Sequence, residues 1–327
     1  MSVLWRCRWP AAGRWSLLVL FLAIATGPLR PAAAQAEKGK DGTVRIVLAG
    51  DVMLDGGPGH ALAHGEDPFA DLAPILASAD IAVCNLECVV ARGGSHVLKP
   101  YTFKARPQCI PVLSRHFSAV CVANNHSGDY GPDGFSEELA LLQKAHLPYF
   151  GGGRDRQEAC RPLVLERNGR RVALLGYNDF PPRSFEAGEH RAGTAWLTPA
   201  AAIAGIKAAR TVEHADLVIP MLHWGDELEP SPEESQKTLA RSMIDAGADA
   251  VIGGHPHVTQ TVDLYKGRPI IYSLGNFVFD YFPSDPLVWT GWVVRLTFSK
   301  SAVPDLEIFV VELDRSGIPH LTPKRTK

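Results

Sequence analysis

The sequence predicts an α/β protein. Apolar strand-like runs alternate with helical patterns through most of the 327 residues, which is how layers of sheet and helix are built. Five of those runs end in polar, chemistry-bearing groups, and ligands of α/β folds gather at the carboxyl ends of strands. The stretch 291–313 reads as strands without helices.

The first strand is read at 44–49 and ends in Gly50-Asp51-Val52-Met53-Leu54-Asp55. A helix follows at 68–77, then a second strand at 81–84 that ends in Asn85-Leu86-Glu87. A short helix at 107–114 leads to a third strand at 118–122, which ends in Ala123-Asn124-Asn125-His126. The helix at 132–145 has proline near its start, where its missing N–H costs nothing. Gly151-Gly152-Gly153 reads as a loop, either a turn or a phosphate cradle. A strand at 172–175 precedes an alanine-rich helix at 198–210 capped by Thr198. The strand at 217–221 ends in Leu222-His223-Trp224-Gly225, and a helix at 232–246 stops at Gly247. The run Ala250-Val251-Ile252 ends in Gly253-Gly254, a tight exit, followed by His255-Pro256-His257. A last strand of this series, 269–274, ends in Gly275-Asn276.

Residues 1–36 stand apart. Arg6, Arg8 and Arg14 precede an apolar core at 17–25, too short to span a bilayer comfortably, and A-x-A patterns end at Ala34 and Ala36. This is the pattern of a secretory signal peptide, with residues 37–42 as a polar linker. The expected domain runs 43–315, with 316–327 as a C-terminal tail. Export, to the periplasm or beyond, implies an oxidising compartment. Cleavage after Ala34 removes four arginines and no acids, taking the formal charge from −2 to −6. That charge, and the absence of a basic run, argue against nucleic acid as a partner. Cys84, Cys88, Cys109, Cys121 and Cys160 remain, an odd number that leaves at least one thiol unpaired in a monomer.

Asp51, Glu87, Asn125, His126, His223, His255 and His257 all follow apolar strands. Two carboxylates, an amide oxygen and several imidazoles suit one or two divalent ions of the Mn, Fe or Zn type. Such a site clamps the entering and leaving oxygens of an in-line displacement at phosphorus. A histidine outside the ligand set would protonate the leaving oxygen.

These motifs, in this order, resemble the CapA/PgsA capsule-synthesis family, associated with poly-γ-glutamate and related to the calcineurin-like metallophosphoesterases. The marks are GDVML at 50–54, NLE at 85–87, FKARP at 103–107, ANNHSGDYG at 123–131, HWGDE at 223–227, GGHPH at 253–257 and SLGNFVFD at 273–280. The resemblance implies a four-layer α-β-β-α sandwich of the metallo-dependent phosphatase type. It implies metal ligation by Asp51, Asn125, His223, His255 and His257, and an acid role for His126. Two positions depart from the phosphoesterase pattern. Met53 stands where that pattern has a histidine, and Asn85-Leu86-Glu87 replaces a Gly-Asp pair; Glu87 takes the bridging role, with Asn85 as its competitor.

Other groups are open between two roles. Asp55 is a turn residue or a further carboxylate near the metal. Lys104 and Arg106 bind an anionic substrate or are solvated. Trp224 packs in the core or stacks on substrate, and Glu227, Asn276 and Asp280 orient ligands or hold structure. Two functions are compatible with the sequence. One is an exported metal-dependent hydrolase or transferase acting on a phosphoester or an envelope-polymer bond. The other is a non-enzymatic capsule protein that binds an anionic polymer, or a capsule synthase or export machinery at the membrane.

Overall fold

The computed structural model describes residues 42–181, 183–281, 284–300 and 303–322. The signal peptide read at 1–36 lies outside them. Among the described residues no helix is long and apolar enough to cross a membrane.

Two sheets form the frame. The eight-stranded sheet runs, in spatial order, Pro319–Leu321, Asp305–Leu313, Thr290–Phe298, Val44–Val52, Ile81–Leu86, Ala119–Cys121 and Tyr149–Phe150, with Asn276–Val278 also paired to Val44–Val52. The six-stranded sheet runs Val262–Tyr265, Arg268–Ile271, Val251–Gly254, Leu217–His223, Arg170–Asn178 and Leu163–Arg167. The strands that carry site residues are parallel to their site-bearing neighbours, so their carboxyl ends meet at one edge. The helix-free C-terminal part adds antiparallel strands to the far side of the first sheet. Its last strand, Pro319–Leu321, falls in the stretch read from sequence as a tail.

Side chains alternate along each strand, so successive residues enter different layers. Val44, Ile46 and Leu48 meet Val172, Leu174, Leu217, Ile219 and Ile252 in a core between the sheets. Val47 and Ala49 face the other way, into a core shared with Leu113, Phe135, Leu139 and Leu142 from helices Ile110–His116 and Gly131–Lys144. Ala173, Leu175 and Val218 back onto Ala202, Ile206, Ala240 and Met243 of helices Pro199–Thr211 and Glu234–Asp245. The result is the four-layer α-β-β-α sandwich. Each fully buried aliphatic side chain in these layers stabilises the fold by roughly 1.5–3 kcal/mol.

Local structure departs from the sequence reading in three places. Helix Gly56–Ala63 forms in a glycine-rich run, capped by the Asp55 carboxylate, which accepts from the Gly56 N–H. The stretch read as one helix at 68–77 is helical only over Ala73–Ala77. Gly152–Gly153 is a strand paired with Gly193–Thr194, and a Cβ at Gly152 would meet Phe135 at 2.7 Å. Those glycines serve close packing, not a phosphate. All five cysteines of the described residues are free; Cys84, Cys88, Cys109 and Cys121 are buried and Cys160 is exposed.

Candidate metal centre

Backbone irregularities aim the donors. The register between Val44–Val52 and Ile81–Leu86 shifts between Leu48 and Asp51, a bulge-type break of the kind that re-aims side chains at sites. Asp51, at the end of that strand, is fully buried. His255 and His257 adopt left-handed backbone, with φ of 95° and 59°. Non-glycine residues there are strained by about 1–3 kcal/mol each, and such strain clusters at functional sites. The glycines before them allow close approach: a Cβ at Gly254 would lie 2.7 Å from Asp51 Oδ1, and one at Gly253 would lie 1.9 Å from the Tyr272 carbonyl oxygen.

The seven predicted residues come together. His223 Nε2 lies 2.8 Å from Asn125 Oδ1, 3.1 Å from His255 Nδ1 and 3.4 Å from Glu87 Oε1. His257 Nε2 is 3.8 Å from the same Glu87 oxygen, and His257 Nδ1 is 3.7 Å from Asp51 Oδ2. His126 Nε2 stands 4.0 Å from Glu87 Oε1. Glu87 thus puts one oxygen amid three imidazoles. Its competitor Asn85 is otherwise engaged. It donates through Nδ2 to Asp51 Oδ1 at 2.8 Å and accepts through Oδ1 from Asn124 at 3.0 Å.

Charge is poorly compensated within the protein. Burial pushes the Glu87 carboxyl well above the usual carboxylate range, with the Asp51 charge adding to it. Asp51 is raised by burial as well. Burial holds the His223 and His255 imidazoles well below their ordinary range, so they are neutral nitrogen donors. Glu87 Oε1 and His255 Nε2 are buried without a hydrogen-bond partner. A buried carboxylate oxygen or imidazole nitrogen left without a partner costs on the order of 1–3 kcal/mol unless something binds there. Donor atoms of Glu87, His223 and His255 lie within 4.8 Å of one another, as do those of Asp51, Glu87 and His257. The donor set fits a divalent cation of borderline character.

His126 is organised differently. Its Nδ1 lies 2.7 Å from Asp129 Oδ2, which fixes the ring and leaves Nε2 facing the cluster. Burial takes this imidazole down to about 4, against the opposing pull of Asp129. Asp129 also accepts the Phe103 N–H at 2.7 Å and pairs with Lys99. Lys99 in turn donates to the Asn125 carbonyl oxygen at 2.9 Å. Of Asp51, Asp55 and Asp129, the carboxylates that could partner His126, Asp129 is the one that does.

The remaining groups sort by contact. Asp55 caps its helix and accepts the Lys104 N–H at 2.8 Å, so it is a turn residue. Trp224 is buried, donates to the Tyr272 carbonyl oxygen at 3.0 Å and stacks on that ring, so it packs. Asn276 accepts from His257 Nδ1 at 2.9 Å and orients it. Asp280 accepts the Gly57 N–H at 2.6 Å, a structural bond. Met53 is buried, and its sulfur accepts the Asp55 N–H at 3.1 Å. Lys104 and Arg106 line a separate groove of about 580 Å³ with Arg92, Pro107 and Gln108. The sequence reading missed Asn124 and Lys99 as organisers. Glu227, read as orienting ligands or holding structure, brings a carboxylate oxygen within 4.8 Å of donor nitrogens of His255 and His257.

Residues 45–281 match the family model described as bacterial capsule synthesis protein PGA_cap. The PGA biosynthesis protein CapA of Bacillus subtilis is 34% identical over 65% of this chain and 56% of its own length. The capsule biosynthesis protein CapA of Bacillus anthracis is 31% identical over 81% of this chain and 67% of its own. The chain therefore spans little more than half of the first of these relatives. Among solved structures, the NAD nucleotidase of Haemophilus influenzae aligns with a TM-score of 0.47 at 12% identity, covering 86% of this chain and 54% of that one.

Proposed function

The chain belongs to the bacterial capsule synthesis PGA_cap family, and from that premise we propose that it is an exported metal-dependent hydrolase or transferase of envelope-polymer assembly. The observation that carries the reading is the convergence, across two sheets, of Asp51, Glu87, Asn125, His223, His255 and His257, with Glu87 Oε1 and His255 Nε2 left unsatisfied. These six residues would hold one or two divalent ions. A cation bound there supplies Lewis-acid polarisation of a phosphoryl or carbonyl oxygen.

The chain's own groups supply the rest. His126, outside the ligand set, exchanges a proton at Nε2 while Asp129 holds Nδ1. Burial disfavours the protonated ring and Asp129 favours it, so the His126–Asp129 pair governs how readily Nε2 carries the proton a leaving oxygen needs. Lys104 and Arg106 offer cationic groups to an anionic polymer or phosphoester in their groove. Strand Val89–Val90, just beyond Glu87, pairs with Lys104–Ala105. The names of the Bacillus relatives speak of PGA and capsule biosynthesis, and the reading takes an anionic envelope polymer as the substrate class. Export rests on residues 1–36; mass analysis of secreted protein should find a start near Gln35 or Glu37.

The deciding experiment is metal analysis of protein purified without chelator, beside assays on phosphodiesters and on the polymer. Stoichiometric Mn, Fe or Zn with turnover supports the enzyme. Metal without turnover on any of these substrates moves the protein to the second reading, a polymer-binding or export-assisting assembly factor. The buried Met53 sulfur, where the phosphoesterase pattern has histidine, is the observation that favours that reading.

A further inference from the structure

We propose that Glu227 is a metal ligand, completing with His255 and His257 a cation position on the more open side of the centre. The inference rests on the metal-centre reading above and assigns a residue that the motif pattern leaves outside the ligand set. A carboxylate oxygen of Glu227 and one nitrogen each of His255 and His257 lie within 4.8 Å of one another, the spacing of atoms around one ion. Glu227 is half-buried, whereas both imidazoles are buried, so this position is reached from the solvent side.

The backbone holds Glu227 there. The turn after strand Leu217–His223 is fastened to the Gly-Gly-His-Pro-His loop on both sides of the residue. Before it, the Trp224 N–H donates to the Gly254 carbonyl oxygen at 3.2 Å. After it, the Leu228 N–H donates to the Pro256 carbonyl oxygen at 2.9 Å, and Gln260 Nε2 donates to the Glu229 carbonyl oxygen at 2.8 Å. The turn takes left-handed backbone at Gly225, φ 84°, and at Leu228, φ 63°. A leucine in that region is strained, and strain persists where surrounding structure imposes it.

Two further observations point to a cation. No Lys or Arg among the described residues forms an ion pair with Glu227, and its charge adds to the rise of the Glu87 carboxyl. His255 is fully buried, with Nδ1 against His223 and Nε2 without a hydrogen-bond partner. Met53 does not compete for the position, since its sulfur is engaged by the Asp55 N–H. The centre then holds three carboxylates, Asp51, Glu87 and Glu227, a charge that one dication leaves uncompensated and two offset.

The test is manganese binding to chelator-stripped protein, read by titration calorimetry and by bound metal after gel filtration. Wild type, Glu227→Ala, Glu227→Gln and His223→Ala are compared. The expected result is that both Glu227 variants lose about one equivalent, or bind their weakest equivalent about 10-fold or more weaker. Metal-free melting of Glu227→Gln should match wild type, because the amide keeps the shape; that variant decides the matter if the alanine misfolds. Wild type that loads metal while Glu227→Gln loads it equally, in number and affinity, overturns this inference and leaves the metal centre standing. Wild type that loads none overturns both.

Discussion

The two sheets bring different chemistry to the same edge. The eight-stranded sheet supplies oxygen: the Asp51 and Glu87 carboxylates and the Asn125 amide, with His126 beside them. The six-stranded sheet supplies nitrogen: His223 and, from the neighbouring strand's exit, His255 and His257. The oxygen side is braced in advance by Asn85 and Asn124, whose amides tie Asp51 to the chain after the third strand. The nitrogen side is set by strained backbone. The six ligands expected from the sequence are divided between the two sheets. These donors converge because the apolar core between the sheets fixes their mutual position, so the geometry of the cluster and inter-sheet packing are one problem.

The largest effect that would break this division is at His126. His126→Ala should lose on the order of a hundredfold to ten-thousandfold in rate while keeping its metal. His223→Ala should lose metal and activity together. Rates beside metal content for both variants check this; a nitrophenolate ester, which needs no proton, should suffer less. Loss of metal in His126→Ala would place that residue among the ligands.

A second pair separates the layers. Ile219→Ala, between the sheets, and Leu142→Ala, under the outer helices, should each cost about 2–5 kcal/mol in denaturant unfolding. Only the first should also weaken metal binding, because only it loosens one sheet against the other. Equal affinity in the two variants would detach the site from the inter-sheet core.

Smaller again is the orienting bond to His257. Asn276→Ala should lower metal affinity about 10–100-fold by freeing that ring. Calorimetric titration measures it, and an unchanged affinity would remove Asn276 from the site's support.

The subtlest distinction is in the metal-free protein, where the sheets respond to pH with opposite sign. Glu87 and Asp51 are raised on folding, so their contribution is present in acid and is lost as pH rises through the raised values. His223 and His255 are lowered, so theirs is present above the ordinary imidazole range and is lost as pH falls. Glu87→Gln should therefore stabilise the metal-free protein near pH 8 and give no gain near pH 4. Thermal melts in chelator test the sign; destabilisation at pH 8 would mean that Glu87 is already satisfied.

Much of this was legible in the sequence because strand ends are. A polar group directly after an apolar run has its place set by the run, which is how Asp51, Asn125, His223 and His255 could be named. Groups placed by loops were not legible. Lys99 reaches Asp129 only because the Val97 and Phe103 N–H groups fold that segment back onto Asp129. Glu227 was discounted because its approach to His255 depends on bonds between two turns distant in sequence. Helix Gly56–Ala63 was invisible for another reason. Its glycines have poor helix propensity, and Asp55 and Asp280 overcome it through bonds at its start.

The buried thiols have a practical consequence. Burial pushes Cys84, Cys88, Cys109 and Cys121 up in pKa, and the thiolate is the reactive form, so in the native protein these sulfurs are silent toward alkylating reagents. Cys160 is exposed, and although burial raises its thiol too it should label first. Cys84 and Cys88 flank the Asn85–Glu87 segment, while Cys109 lies in the turn that leads into helix Ile110–His116. The slow labelling that follows Cys160 is thus a clock for local opening, readable peptide by peptide. Run with and without manganese, it would time how tightly a bound ion latches the first sheet's rim.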